Sequence, residues 1–323
     1  MAEAGVALAC DLGGTNLRVA LVDGAGTIRA AEKRTLVDRA PEAVVALLAA
    51  LAGEVLRGQG TTIDRVAAVG IGVAGPCLGA TGVVVVAPNL GWRDVPFGAM
   101  VERALGRRVR VVNDLSAAAW GEAAVGGARG AKDVVLIFVG SGVGSGLILD
   151  GRLYEGCGGL AGEFGHTKVV AEGGRLCGCG EHGCLEAYAG GHNIARRLRE
   201  LAAEGRAAGI LRAAGGDPDR LGGAALERAA EEGDPEAVAL RDEIGRMLGV
   251  QIANVVTLLN PARLILGGGV LTGMPGLKAR AIDWIRRATG RPQLARLTVL
   301  DAALGDDAGL IGAGLLALAG EAA

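Results

Sequence analysis

The chain has 323 residues, enough for two domains, and half of them are hydrophobic, so a large core is available. Aromatic residues make up only 2%, so that core must be built from Ala, Val, Leu and Ile. The net charge of −2 gives no support for nucleic acid or an anionic membrane surface as the main partner. The longest apolar runs, such as Val44 to Ala52, are too short to span a bilayer. Six cysteines, three of them clustered, argue for a reducing compartment over a disulfide scaffold. The first residues lack the basic region of a signal peptide. A soluble, cytoplasmic protein is expected, with no nucleic-acid or membrane partner.

In chain order, Val6 to Cys10 reads as a strand, Asp11-Leu12-Gly13-Gly14-Thr15-Asn16 as a tight turn, and Leu17 to Val22 as a second strand. Asp23 to Gly26 is another turn and Thr27 to Leu36 a third strand. Pro41 opens a helix with Val44, Val45, Leu47, Leu48, Leu51 and Val55 on its buried side. Arg65 to Val73 returns as a strand, and Pro96 starts a helix. Val109 to Val112 is a strand that delivers Asn113-Asp114, and Ser116 to Val125 is a helix. The pattern then restarts: strand Asp133 to Val139, glycine turn Gly140 to Gly146, strand Leu147 to Asp150, and a third strand from Arg152. Two halves on one plan predict a duplicated α/β fold with a central cleft. Further on come a basic amphipathic helix (Gly191 to Gly205) and an exposed glycine-rich connection (Gly209 to Gly223). The longest helix is Pro235 to Leu259. Arg263 to Leu266 is a strand running into Gly267-Gly268-Gly269; a helix passes through Trp284, and Leu297 to Leu300 is a strand. Asp307 to Leu318 is a final amphipathic helix.

Between Gly162 and Glu186 lies the most distinctive stretch. Cys177, Cys179 and Cys184 fall within eight residues, separated by glycines, with His166 shortly upstream. Cys₃His is a standard ligand set for a closed, tetrahedral structural Zn²⁺ site, and the glycines let the backbone curl so that the thiolates face one point. Buried thiols in a glycine-rich loop are the plainer alternative, but buried cysteines are usually scattered along strands and helices. Glu163 and Glu186 bracket the cluster, which suggests that the metal braces something else.

Three glycine runs could face phosphate or nucleotide. Asp11 with Gly13, Gly14, Thr15 and Asn16 sets an acid beside a turn of backbone amides, and that acid can hold Mg²⁺ through water. Gly140 to Gly146, with Ser141, Gly142 and Gly144, would be a second amide cradle. Gly268 and Gly269, after a strand and before a helix, could admit adenine or its ribose. Any one of these alone could be an ordinary turn; their order gives them weight. Gly70-Ile71-Gly72-Val73-Ala74-Gly75 matches the dinucleotide fingerprint, but Pro76, Gly79 and Gly82 follow, so the required helix cannot start. Asp114, where a strand meets a helix, is either a general base or, with Ser116, a candidate N-cap.

These motifs resemble those of the ROK family of bacterial sugar kinases and repressors, within the hexokinase–actin–heat-shock-70 superfamily. Asp11 to Thr15 and Gly140 to Gly146 resemble its phosphate motifs, and Gly267 to Gly269 its adenosine motif. Glu163-Phe164-Gly165-His166 fits ExGH, and Cys177 to Glu186 fits CxCGxxGCxE. The resemblance implies a two-domain hexokinase/actin-like (ribonuclease H-like) fold. It is drawn here as residues 1–113 plus a C-terminal helix at about 307–323, against a larger domain of 114–306 carrying the zinc loop. It implies an ATP- and Mg²⁺-dependent hexose kinase, most like the glucokinases, with Asp114 as base. Asn113, Asp114, Glu163, His166, Glu186, Gly75 and Asn89 would hold a monosaccharide. His166, Cys177, Cys179 and Cys184 would hold structural Zn²⁺. The scarcity of aromatics favours a monosaccharide over an oligosaccharide. Kinases of N-acetylhexosamines or fructose, polyphosphate as donor, and a non-catalytic sugar sensor stay open. Dimers are common in the family, so a homodimer is expected. Only ten residues precede Asp11, so the repressor branch's DNA-binding module is expected to be absent.

Overall fold

The computed structural model describes residues 5–321. β1 (Val6–Leu12), β2 (Asn16–Asp23) and β3 (Ile28–Thr35) form an antiparallel meander. The β2–β3 turn is fixed by the Asp23 carboxylate, which accepts from the Ala25 and Thr27 amides at 3.0 and 2.9 Å. α1 (Pro41–Gly58) starts on its proline and buries Val44, Val45, Leu48, Leu51 and Val55 against the core. β4 (Ala68–Val73) is buried throughout. Next come β5 (Cys77–Leu78), β6 (Val83–Ala87) and β7 (Trp92–Val95), a separate antiparallel sheet absent from the sequence reading. α2 (Phe97–Leu105), β8 (Arg110–Asn113) and α3 (Asp114–Ala124) follow. The first large sheet has the order β3-β2-β1-β4-β8, with β1, β4 and β8 parallel.

β9 (Val134–Val139), β10 (Val143–Leu149) and β11 (Arg152–Leu153) come next. Here one expectation is corrected. The turn spans only Gly140 to Gly142; Gly144, Ser145 and Gly146 lie inside β10. Gly146 is glycine because a side chain would strike the Leu115 carbonyl and the Ala119 methyl. α4 (Glu186–Ala189) and α5 (Gly191–Ala203) follow, then α6 (Ala208–Ala213). The expected exposed connection of 209–223 is corrected in its first part, where α6 buries Gly209, Ile210 and Ala213, while 215–220 are exposed as expected. α7 (Gly223–Glu231) precedes α8 (Pro235–Leu259), which Asn260 ends in the left-handed conformation, φ 46°. β12 (Arg263–Gly267), α9 (Gly269–Gly273), α10 (Pro275–Ala288), α11 (Arg291–Leu294), β13 (Thr298–Asp301) and α12 (Ala308–Glu321) complete the chain. Gly245 and Gly249 let α10 lie directly on α8, since a side chain at either would meet α10 backbone. The second large sheet has the order β11-β10-β9-β12-β13.

The chain divides into two compact units. The first gathers the residues up to Leu136, Gly146–Gly162 and those from Ala302 on; the second gathers Ile137–Ser145 and Glu163–Asp301. The motif-based division fell at 113/114, whereas α3 packs on α12 within the first unit. α12 is not amphipathic as expected. Ala308, Leu310, Ala313, Leu316 and Ala317 are all buried, as a helix covered on several sides must be. It reaches this depth through glycine: Gly312 leaves room for the Ala117 carbonyl of α3, and Gly70 of β4 for the Ala313 carbonyl. Gly70, the first glycine of the dinucleotide-like run, thus serves helix-on-sheet packing, while Gly75 lies against the Val86 carbonyl of β6. No described helix is long and apolar enough to cross a membrane.

Candidate functional site

In the first unit three parallel strands end side by side. Asp11 on β1 is in register with Gly72 on β4, and Val73 with Asn113 on β8. Ligands in α/β folds bind beyond the carboxyl ends of such strands. The adjacent turn at Gly13 and Gly14 is closed by the Gly13 amide on the Asn16 carbonyl at 3.0 Å. Thr15 accepts the Leu36 amide through its carbonyl at 2.8 Å, and Asn16 Oδ1 accepts the Thr35 hydroxyl at 3.2 Å. A Cβ on Gly14 would lie 2.5 Å from that of Asn89, so bare backbone is what lets Asn89 sit on the turn. Arg39 Nε donates to the Gly14 carbonyl at 2.9 Å. The sequence reading missed this residue, which lies 25 positions downstream in a strand-to-helix connection with no motif.

Burial raises the Asp11 carboxyl above the ordinary carboxylate range; Arg18 pulls it back, and Asp306 and Asp307 push it further up. Arg18 is itself engaged by the Asp307 carboxylate and the Asp306 carbonyl. The loop carrying those two acids is anchored by Glu122, a fully buried residue also missed from sequence. Its carboxylate accepts from the Ala303, Leu304 and Gly127 amides at 2.7, 2.8 and 2.9 Å.

Hydrogen bonds show which residue caps α3. Asn113 is the N-cap of α3: its Oδ1 accepts the Leu115 and Ser116 amides at 2.9 and 3.1 Å. Its Nδ2 donates to the Gly75 carbonyl at 3.3 Å, tying Gly75 to the same corner. Asp114 is therefore the first helical residue, with Oδ1 taking the Leu115 amide at 2.9 Å. Burial, then the charges of Asp114 and Glu155, push the nearby Cys77 thiol up to about 12.

In the second unit His166, Cys177, Cys179 and Cys184 present ligand atoms that all lie within 4.8 Å of one another. The Cys179 and Cys184 sulfurs are 3.8 Å apart. A Zn–S bond of about 2.3 Å in a tetrahedron gives a sulfur–sulfur edge of about 3.8 Å, so this donor set fits Zn²⁺. His166 Nδ1 faces the Cys177 sulfur at 3.8 Å, while Nε2 faces Glu163 Oε2 at 3.8 Å. Nδ1 would thus go to the metal and Nε2 is left to present a proton. Lys168 Nζ lies 3.4 Å from the Cys184 sulfur, a cation suited to a thiolate. Gly183, at φ 77°, is required because a side chain would strike the Val170 carbonyl. Burial raises the Glu163 carboxyl; His166 lowers it and Glu186 raises it again.

Glu186 connects this loop to the turn after β9. Its Oε2 accepts the Val143 amide at 2.9 Å, and its Oε1 is 3.9 Å from the Cys177 sulfur. Gly142 must be glycine here, since its Cβ would lie 2.5 Å from Glu186 Oε2. The Gly191 and His192 amides donate to the Gly140 and Ser141 carbonyls at 2.8 and 3.1 Å. Gly268 has φ 97° and abuts the Val139 backbone, whereas Gly269 borders open space.

A two-unit α/β fold with an acid at the end of its parallel strands, glycine turns and a Cys₃His loop is the architecture of one class of sugar-handling proteins. The chain belongs to the ROK family, whose model matches residues 7–320. It is 36% identical over 320 residues to a glucokinase of Streptomyces coelicolor, covering 97% of this chain and 98% of that one. The crystal structure of a ROK family glucokinase from Streptomyces griseus, in complex with glucose and AMPPNP, superposes with TM-score 0.79 at 36% identity. That match covers 97% of this chain and 99% of the other. The ROK hexokinase from Thermus thermophilus superposes with TM-score 0.82 at 32% identity, over 98% of each chain.

Proposed function

We propose that this protein is an ATP-dependent hexose kinase that phosphorylates glucose at its 6-hydroxyl. The observation that carries this reading is the Asn113–Asp114 corner. Asn113 does the capping, so Asp114 is not needed as the cap and stands at the end of three parallel strands. In the reaction the sugar O6 bonds to the γ-phosphorus as the bond from that phosphorus to the β–γ bridging oxygen breaks. The O6 proton passes to the Asp114 carboxylate. Little covalent work is asked of the protein, so most of its contribution is positioning and charge.

Asp11 suits water-mediated Mg²⁺, because burial and two neighbouring acids disfavour its charge and a cation would relieve that. Bound Mg²⁺ supplies neutralisation of charge on the phosphates. The amides of Gly14, Ser141 and Gly142 hold phosphate oxygens, and Gly269, which borders open space beside the packed Gly268, leaves room for adenosine. Glu163, His166 Nε2 and Glu186 accept and donate to sugar hydroxyls, with Asn113, Gly75 and Asn89 supporting. His166, Cys177, Cys179 and Cys184 would hold Zn²⁺, and that ligation would fix the ring of His166. A closed four-ligand site has no open position, so this metal takes no part in the transfer.

The test is a coupled ADP-release assay with glucose, mannose, fructose, N-acetylglucosamine and N-acetylmannosamine, run with ATP and with polyphosphate. ATP-dependent turnover highest on glucose is expected. Absence of turnover on every hexose with either donor overturns the reading. Light scattering coupled to gel filtration tests the homodimer expected from the family.

A further inference from the structure

We propose that Arg39 is a phosphate-contacting residue: it gives the Gly13–Gly14 turn the full positive charge that backbone amides lack. The inference deepens the phosphoryl-transfer reading above and rests on it. Amides in a turn offer only partial charges to an anion. The acid beside this turn, Asp11, has Asp306 and Asp307 as further acidic neighbours, so an arriving phosphate meets negative charge. Arg18 is the strongest cationic influence on Asp11, but its guanidinium is already committed to Asp307 and Asp306.

Arg39 is held at both ends. Its carbonyl accepts the Trp92 indole N–H at 2.6 Å, and Trp92 is buried and packed on Phe97 with ring centroids 5.0 Å apart. Its Nε donates to the Gly14 carbonyl at 2.9 Å. A long exposed side chain that would otherwise sample many rotamers is thereby laid against the turn. Only Nε is used. Both terminal nitrogens lack a hydrogen bond or ion pair among the described residues. A planar guanidinium with two free nitrogens is the donor best matched to phosphate oxygens.

Pinning the turn and contacting phosphate are separable, because a glutamine amide nitrogen stands at the same chain position as arginine Nε. Arg39→Gln can keep the Gly14 bond while losing the charge and the terminal nitrogens. Arg39→Gln is expected to keep the melting temperature and the glucose affinity of the wild type. Its kcat/KM for ATP should fall by about 10- to 100-fold, the loss expected for a hydrogen bond to a charged group. AMPPNP affinity, measured calorimetrically, should weaken with it and depend less on salt. Guanidinium ion at millimolar concentration should restore part of the turnover of Arg39→Ala. Wild-type ATP kinetics and AMPPNP affinity in Arg39→Gln, with loss only in Arg39→Ala, would overturn the inference and leave Arg39 a pin. If Arg39→Gln melts early, the guanidinium arm decides: no rescue counts against the contact. Failure of the kinase reading looks different, since the wild type itself would then turn over no hexose. The AMPPNP comparison still decides Arg39 in that case.

Discussion

Replacing Asp114 by Asn separates catalysis from stability in a way that the α3 corner makes quantitative. The N-cap bonds from Leu115 and Ser116 go to Asn113 and are untouched by the change. The Leu115 amide that reaches Asp114 Oδ1 finds the same oxygen in asparagine. In the first turn of the helix the change removes one negative charge, worth about 0.3–1 kcal/mol. A chain of this size then melts only a few degrees lower. What is lost on the catalytic side is the proton acceptor. General-base removal costs roughly 10²- to 10⁴-fold, or about 3–5 kcal/mol of barrier. The coupled assay gives kcat, calorimetry gives glucose affinity, and a thermal melt gives stability. Asn113→Ala loses the cap itself, at a predicted cost of about 1 kcal/mol, so it should melt at or slightly below Asp114→Asn. If Asp114→Asn retains kcat within a few-fold of wild type, or if its loss of activity merely follows unfolding, the base assignment is wrong.

Three further outcomes are expected. Cys179→Ser should lose its zinc, against one zinc per chain in the wild type by metal analysis, and weaken glucose binding by about 10- to 100-fold; a zinc-free variant with full glucose affinity would leave the cluster as plain thiols. Asp11 has a raised carboxyl pKa in the folded state, so it binds more protons folded than unfolded, and its contribution to stability is lost as pH rises from the ordinary value of 3.8 through the raised one. Without Mg²⁺ or nucleotide, Asp11→Asn should therefore melt above wild type at neutral pH and converge with it in acid, while losing turnover; a lower neutral melting point would refute the burial argument. Glu122→Ala should cost at least about 3 kcal/mol, because three amides lose a buried acceptor at roughly 1–3 kcal/mol each; a denaturant titration within 1 kcal/mol (about the cost of a single such bond) of wild type would contradict this.

What the sequence made legible was chemistry fixed by neighbours in the chain. The β1–β2 hairpin, the long α8 with its Asn260 stop, and the spacing of the three cysteines all depend on residues a few positions apart. Elements that depend on distant partners were missed. β5 and β7 are two and four residues long, too short for a periodic signal, and exist by pairing with β6. Gly144 and Gly146 looked like turn residues, but strand β10 runs through them because neighbouring backbone leaves no room for side chains at Gly146. The α12 pattern was taken as amphipathic because alanine and glycine carry little periodic contrast, while packing buries them on several sides. Arg39 and Glu122 act on backbone 25 and about 180 positions away, and no local pattern marks such a bond.

Within the second unit, hydrogen bonds carry the influence of the zinc loop beyond the carboxylates Glu163 and Glu186. Glu186 is two residues beyond the last cysteine, and it is not confined to one task. One oxygen lies by the Cys177 sulfur and the other accepts the Val143 amide, at the point where the Gly140–Gly142 turn enters β10. The Gly191 and His192 amides, a few residues further on, hold the Gly140 and Ser141 carbonyls. The metal loop, α4, the start of α5 and the glycine turn therefore form one hydrogen-bonded body. If the metal leaves, Cys177 loses its reason to stay where Glu186 meets it, and the Val143 bond loses its brace. Weakened AMPPNP binding in Cys179→Ser alongside weakened glucose binding is what such a body requires. Sugar affinity falling alone would mean that the turn keeps its shape by its own glycines, with Glu186 only leaning on it.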